Sequence, residues 1–272
     1  IMPRLGRFPF KTTRGSKMLV VISPAKKLNM DPVVGVDRTT PTFTAETKEL
    51  IEIARQLDVA NLRKLMGISE KLAELNVERF ASFSDTPDVD AVKQAMYMFD
   101  GDTYTGLDAV SLEADTIPYA QDHMRILSGL YGILRPLDAI QAYRLEMGSR
   151  LASPKGKNLY AFWGDKVALS LNDAAKASQS EFVVNCASTE YFTVVKTDVL
   201  TPKVITPVFL ERRDGAEKTI SFYAKRARGA MARFIVENRI REVKHLRDFD
   251  TGGYALDADK SDEATLVFSR DS

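Results

Sequence analysis

The chain reads as a mixed α/β fold of the α+β kind, organised as one domain. Three observations lead there. Short apolar, β-branched runs at Met18–Ser23, Glu181–Ala187, Val204–Arg212 and Thr265–Ser269 have the length and composition of strands. Longer segments between them, such as Phe43–Leu57 and Val59–Phe83, place apolar residues at helical spacing. No internal repeat, low-complexity tract or linker divides the 272 residues, so residues 18–272 are expected to form a single unit.

Composition narrows the function. With 44% apolar residues the chain can bury a sizeable core, and no run approaches the length of a membrane span. A single cysteine, Cys186, excludes an intrachain disulfide and fits a reducing, cytoplasmic setting. Two histidines, His123 and His245, make a dedicated His/Cys metal site improbable, and no cofactor is expected. Residues 1–17 hold Arg4, Arg7, Lys11, Arg14 and Lys17 without an acid and without a following apolar stretch. They are read as a basic extension outside the fold, with Met18 opening the first strand.

Along the chain, Met18–Ser23 is a buried strand ended by Pro24, which places Lys26 and Lys27 at a strand's C-terminal end. That is a frequent site position in α/β sheets, although a loop of solvated lysines accounts for the pattern as well. Asn29–Pro41 is loop. Val59–Phe83 splits at Gly67-Ile68-Ser69 into helix, turn and helix, with Ser69 as the second helix's cap. The spacing resembles a helix-hairpin-helix, whose turn offers backbone N–H groups to a DNA phosphate; a plain αα-corner is the alternative.

Val89–Phe99 is expected to be helical, Phe99–Leu107 to be a surface turn, and Tyr119–Leu127 to be amphipathic. The acids Asp100, Asp102 and Asp108 fail the calcium-loop pattern. In Leu130–Met147, Arg135, Asp138, Tyr143, Arg144 and Glu146 stand among apolar residues, as either a buried ion-pair lattice or a ligand cleft. Val204–Arg212 and Glu217–Phe222 are expected to pair as a hairpin through Asp214-Gly215.

The hairpin leads into Ile220–Arg241, where the charge concentrates. Lys225, Arg226, Arg228, Arg233, Arg239 and Arg241 oppose only Glu237, so six minus one gives +5 in a chain whose net charge is +1. On a helical wheel the first five cations share an arc of roughly 160°, opposite Tyr223, Ala227, Met231, Phe234 and Ile235. A solvated surface helix would interleave glutamates with its cations; this one does not, and phosphates are the commonest reason.

Several stretches together resemble one family: Ile22-Ser23-Pro24-Ala25-Lys26, GISEKLAELN, FDGDTYTGL, LSGLYGILRPLDAIQAYRLEMG, LYAFWG, VNCASTEYF and FYAKRARGAMARFI. They resemble the YaaA family of bacterial peroxide-stress proteins, over essentially the whole chain after the leader. The resemblance implies a single-domain cantaloupe fold with a helix-hairpin-helix and a positively charged cleft. It also implies DNA binding and a link to limiting free iron. By position, the cleft residues would be Lys26, Arg135, Arg144, Lys225, Arg228 and Arg233, with Arg226 beside them, and the hairpin Gly67–Ala73 through Gly67, Ile68 and Ser69. Ser69 stands where that motif has its second glycine.

The leading expectation is therefore a non-catalytic protein that holds DNA, duplex or branched, by its phosphates, with self-association along DNA compatible and no membrane role. One alternative is a nucleic-acid-processing enzyme using Lys26 or Lys225 with Asp138, Glu146 or Glu190. Another is direct iron binding through Asp100, Asp102, Glu146 and Asp165.

Overall fold

The computed structural model describes residues 17–33, 35–213 and 215–271. The basic stretch 1–16 and Asp214 of the expected hairpin lie outside the described residues, while Lys17 is the first residue of a strand.

One large sheet organises the fold. Its strands are β1 (Lys17–Ile22), β2 (Met124–Ser128), β3 (Gly132–Leu134), β4 (Ser180–Cys186), β5 (Lys203–Arg213), β6 (Ala216–Lys218), β7 (Ala255–Leu256) and β8 (Thr265–Asp271). Across the sheet they run β7-β8-β5-β4-β1-β2-β3, with β6 paired to β5. The middle five, β8, β5, β4, β1 and β2, are mutually parallel, and the antiparallel pairs are at the margins. β1 is central and covered on both faces. Met18, Leu19, Val20, Val21 and Ile22 are all fully buried, which is why this strand is a continuous apolar run with no alternation.

The helices that matter for the site are α1 (Thr44–Ala54), α2 (Val59–Met66), α3 (Glu70–Ser82), α4 (Asp102–Leu107), α5 (Thr116–His123), α6 (Lys166–Ser178) and α7 (Ser221–Glu237). The corner between α2 and α3 forms as the spacing requires. Gly67 sits at φ 60, ψ 41, a left-handed cap that glycine adopts without strain, and the Ser69 hydroxyl accepts from the Leu72 amide.

Three expectations on local structure are overturned. Val89–Phe99 is not one helix. It is a turn, a strand Val92–Gln94 paired with Ala139–Gln141, and a single helical turn Ala95–Met98. Pairing with a distant segment outweighs the helical period here. Tyr119–Leu127 divides between α5 and β2, because Met124, Arg125 and Ile126 pair with Val20, Val21 and Ile22 of the central strand. Phe99–Leu107 is no surface turn: it contains α4, which packs tightly on α7.

The α4–α7 contact sets the position of the basic helix. A Cβ on Gly229 would lie 1.7 Å from the Thr103 carbonyl oxygen, and one on Gly106 would lie 1.9 Å from the Arg226 carbonyl oxygen. The two backbones touch because both contact residues lack a side chain. Helix α7 is consequently buried on two sides, by the sheet and by α4, through Ala224, Ala227, Gly229, Ala230, Met231, Ala232, Ile235 and Val236. Val236 is in the core, while Phe222 is exposed and so is Tyr223, which the wheel set on the apolar side. Small residues bury a helix without writing an apolar stripe into its sequence. The helix begins at Ser221, so the second hairpin strand stops at Lys218 rather than Phe222. It ends at Glu237, so Arg239, at φ 48, lies in the turn beyond it.

Candidate anion site and basic surface

β1 and β4 end side by side, with Ile22 opposite Cys186. The residues that follow lock together. The Ser188 amide donates to the Ser23 hydroxyl oxygen at 2.9 Å, the two hydroxyls are 3.4 Å apart, and the Tyr104 phenol donates to the Ser23 carbonyl at 3.1 Å. From here Pro24, Ala25 and Lys26 leave the sheet. The loop through Tyr143–Met147 lies against this exit because Gly129 admits the Leu145 carbonyl, which would stand 2.2 Å from a Cβ there.

Glu146 gathers two cations on one oxygen. Lys26 Nζ is 3.0 Å from Glu146 Oε1, and Arg144 reaches the same atom through Nη2 at 3.1 Å. Arg144 and Glu146 are largely buried, whereas the Lys26 side chain is 65% exposed and pairs with Glu146 at its tip. Pro24, Lys26, Tyr143, Arg144, Glu146 and Tyr191 line a shallow recess of about 10 Å³, room for no more than one water. Tyr143 closes its inner wall through a 2.5 Å hydrogen bond with Ser128. Burial, reinforced by Tyr143, Glu190 and Glu146, raises the Tyr191 phenol well above the usual range, so Tyr191 is neutral there.

Arg228 lies on α7, which packs against β1 and β4. It is half-buried and within electrostatic reach of the Cys186 thiol. Burial lowers its pKa, with Cys186 acting in the opposite direction. Lys225 and Arg226, one turn earlier, are exposed. Among the described residues no carboxylate stands within ion-pair distance of Lys225, Arg226 or Arg228.

The other sequence-selected cations have partners within the protein. Arg233 donates to the carbonyls of Leu107 and Asp108 and to the Ser111 hydroxyl, and pairs with Glu237 at 2.6 Å, so it caps the end of α4. Arg135 pairs with the fully buried Asp138 at 2.9 Å and donates to the Thr40 carbonyl. Gly67, Ile68 and Ser69 form the α2–α3 turn, with the amides of Ser69, Glu70 and Lys71 lacking a backbone acceptor among the described residues. Lys26 and Arg144 are thus brought together on Glu146. Arg228, on α7, is not part of that cluster, and Arg135 and Arg233 serve the fold.

Three of the four carboxylates considered for iron, Asp100, Glu146 and Asp165, are engaged as well. Asp100 pairs with Lys27, Asp165 with Lys196, and Glu146 with Lys26 and Arg144. Among the described residues no group of three or more His, Cys, Asp or Glu side chains is placed to hold a metal ion. No helix among them is long and apolar enough to cross a membrane.

A concavity of about 1070 Å³ is lined by α1, α2 and residues 148–154, including Ile53, Leu57, Leu65, Leu151 and Pro154. None of the residues singled out in the sequence lines it. Conversely, the sequence reading passed over Ser23, Ser188, Tyr104 and Tyr191. The signal for the two serines was present, since Ser23 follows the end of β1 directly and Ser188 stands two residues past the end of β4, but it had been applied only to Lys26 and Lys27.

Comparison with known proteins agrees with the motifs. Residues 18–260 match the sequence model of a family described as peroxide stress protein YaaA. The chain belongs to that family. A UPF0246 protein of Dinoroseobacter shibae is 60% identical over 253 residues, covering 93% of this chain and 95% of the relative. UPF0246 proteins of Alteromonas mediterranea and Ralstonia pickettii are each 51% identical over 254 residues, covering 93% of this chain and 98% and 99% of the relatives. The YaaA match therefore takes in the strand-end cluster, α7 and the sheet from Met18 through β7, with β8 following it.

Proposed function

We propose that this YaaA-family protein binds DNA through its phosphates, largely without regard to sequence, as its part in the peroxide-stress response. The observation that carries the reading is the trio Lys225, Arg226 and Arg228 within one turn of α7, with no carboxylate at ion-pair distance among the described residues. Three uncompensated cations repel one another and favour a polyanion as counter-charge. The outward amides after Gly67 supply a second point of phosphate contact in a helix-hairpin-helix role, although Glu70 in the first turn opposes it.

The link to peroxide and iron is then chemical. DNA condenses cations along its backbone, and a protein that neutralises phosphates releases them. Ferrous ions displaced from the backbone no longer generate radicals beside it, so an effect on DNA-associated iron needs no iron site in the protein.

The test is DNA binding as a function of salt. Three phosphate contacts predict a log–log slope near −2.7, or roughly a 40-fold loss of affinity between 50 and 200 mM salt. Lys225→Glu with Arg226→Glu should abolish binding in a folded protein. Affinity that is flat with salt, or retained in that variant, removes the proposal.

A second reading, nucleic-acid processing, draws on Lys26 held 3.0 Å from a mostly buried carboxylate. Borohydride trapping on abasic DNA, lost in Lys26→Met, would favour it; no adduct would dismiss it.

A further inference from the structure

We propose that the aromatic surface at the start of α7 is a stacking platform for an unpaired base of a DNA strand. The inference rests on the phosphate-binding reading above and adds a base contact to it. Phe222, in the first turn of α7, is 50% exposed, and Ile220 and Tyr223 beside it are each more than a third exposed. Among the described residues no other Phe, Tyr or Trp is exposed to this degree. The two rings meet close to perpendicular, with their centres 5.3 Å apart, so they form one continuous aromatic surface.

That surface is fixed to the core. The Arg270 guanidinium lies 4.7 Å from the centre of the Tyr223 ring and 4.6 Å from that of Tyr254, in contact with both. Arg270 on β8 donates to both carboxylate oxygens of Glu211, its neighbour on β5, at 2.8 and 3.1 Å, and to the Gly252 carbonyl at 2.7 Å. Glu211 is fully buried and also accepts from the Tyr254 phenol. Tyr223 is thus seated on a guanidinium locked into a buried ion pair, and Phe222 packs against Tyr223. Rings ordered in advance lose little freedom when a base settles on them.

The neighbouring charge identifies the occupant. Lys225 and Arg226 follow Phe222 by three and four residues, which puts them on the same side of the helix, about 5 Å further along its axis. Neither has a carboxylate at ion-pair distance among the described residues, and the first turn of α7 holds no acid. An apolar partner would cover the rings and leave these cations unbalanced. A single DNA strand answers both features, because every base has a π-face and every nucleotide carries a phosphate. A duplex also brings phosphates, but its bases are stacked on one another and leave the rings uncovered. The platform therefore favours strands with unpaired bases, and stacking of this kind is indifferent to sequence.

Binding of three probes tests this: a short oligothymidylate, a strand of the same length whose sugars carry no bases, and a fully paired duplex. The thymidylate should bind about tenfold tighter than the baseless strand, although both carry the same phosphates. Phe222→Ala and Phe222→Leu should each remove that advantage. Both should leave the baseless strand, the duplex and the salt dependence as in the parent, because no cation is lost. Phe222→Trp should keep the advantage, and Lys225→Glu with Arg226→Glu should abolish binding of all three probes. Equal affinity for the thymidylate and the baseless strand, or an advantage that survives in both Phe222→Ala and Phe222→Leu, overturns the platform and leaves the phosphate reading standing. Binding that ignores salt and the charge reversal defeats the phosphate reading instead, and no binding of any probe defeats both. Sedimentation adds a last check: self-association of the parent that is lost in Phe222→Ala would give the patch to a second copy of the chain and overturn the proposal.

Discussion

The C-terminal half of α7 and the turn after it hold Arg233 and Arg239; the N-terminal half holds Lys225, Arg226 and Arg228. In the first group each guanidinium is engaged by the protein itself. Arg233 closes the end of α4 and pairs with Glu237, and Arg239 reaches the Asp115 carbonyl at 3.1 Å and its carboxylate at 3.6 Å. In the second group no such partner is present among the described residues. The boundary is Gly229, where α7 meets α4. Beyond it, the Arg233 side chain reaches the carbonyls of Leu107 and Asp108 at the end of α4; before it, the side chains of Lys225, Arg226 and Arg228 make no such hydrogen bond among the described residues. A count of cations in the sequence treats the two groups as one patch. Position relative to a helix crossing separates structural arginines from those able to meet a ligand.

The strongest way to break this comparison is to disturb the crossing. Gly229→Ala puts a methyl 1.7 Å from the Thr103 carbonyl oxygen, and two backbones must part to admit it. A loss of about 3 kcal/mol in urea denaturation is expected. A variant within about 1 kcal/mol of the parent would show that the contact does not fix the helix.

Next come the arginines compared directly. Arg233→Met removes several charge-assisted hydrogen bonds from half-buried carbonyls and should destabilise by about 2 kcal/mol. Arg226→Met, on an exposed residue, should stay within about 0.5 kcal/mol. Arg228→Met is the sharpest member of the series. A guanidinium held half-buried without a carboxylate carries a desolvation cost, so methionine of similar length should leave stability unchanged or raise it. A drop equal to that of Arg233→Met would mean Arg228 belongs to the structural group.

How far the sequence disclosed this follows from the kind of contact involved. The central strand was legible because burial on both faces makes it uniformly apolar, and the Gly67 corner because a left-handed cap and a serine cap each demand particular residues. The division of Tyr119–Leu127 was not legible. Nothing local says that Met124–Ile126 will pair with a strand a hundred residues earlier. For the site, Lys26 was found from its place after a strand, and its pairing with Glu146 belongs to the lattice suspected in Leu130–Met147. That Arg233 caps α4 was hidden, because α4 itself had been read as a turn. Small residues, Gly106 and Gly229 above all, decided the packing, and they contribute nothing to an apolar pattern.

The smallest effect concerns Cys186. A cation beside a thiol ordinarily lowers its pKa and makes it reactive, and Arg228 acts in that direction. Burial is the larger influence and pushes the thiol up to about 12, with Arg228 offsetting only part of the shift. At pH 8 the thiolate is therefore scarce, and the sulfur is also inaccessible. Native protein should resist N-ethylmaleimide and hydrogen peroxide at pH 8, reacting only as fast as it unfolds, and Arg228→Met should react no more slowly once its unfolding rate is taken into account. Prompt modification of the native thiol that disappears in Arg228→Met would give the untethered half of α7 a different task, activating a peroxide-sensing cysteine rather than meeting phosphate.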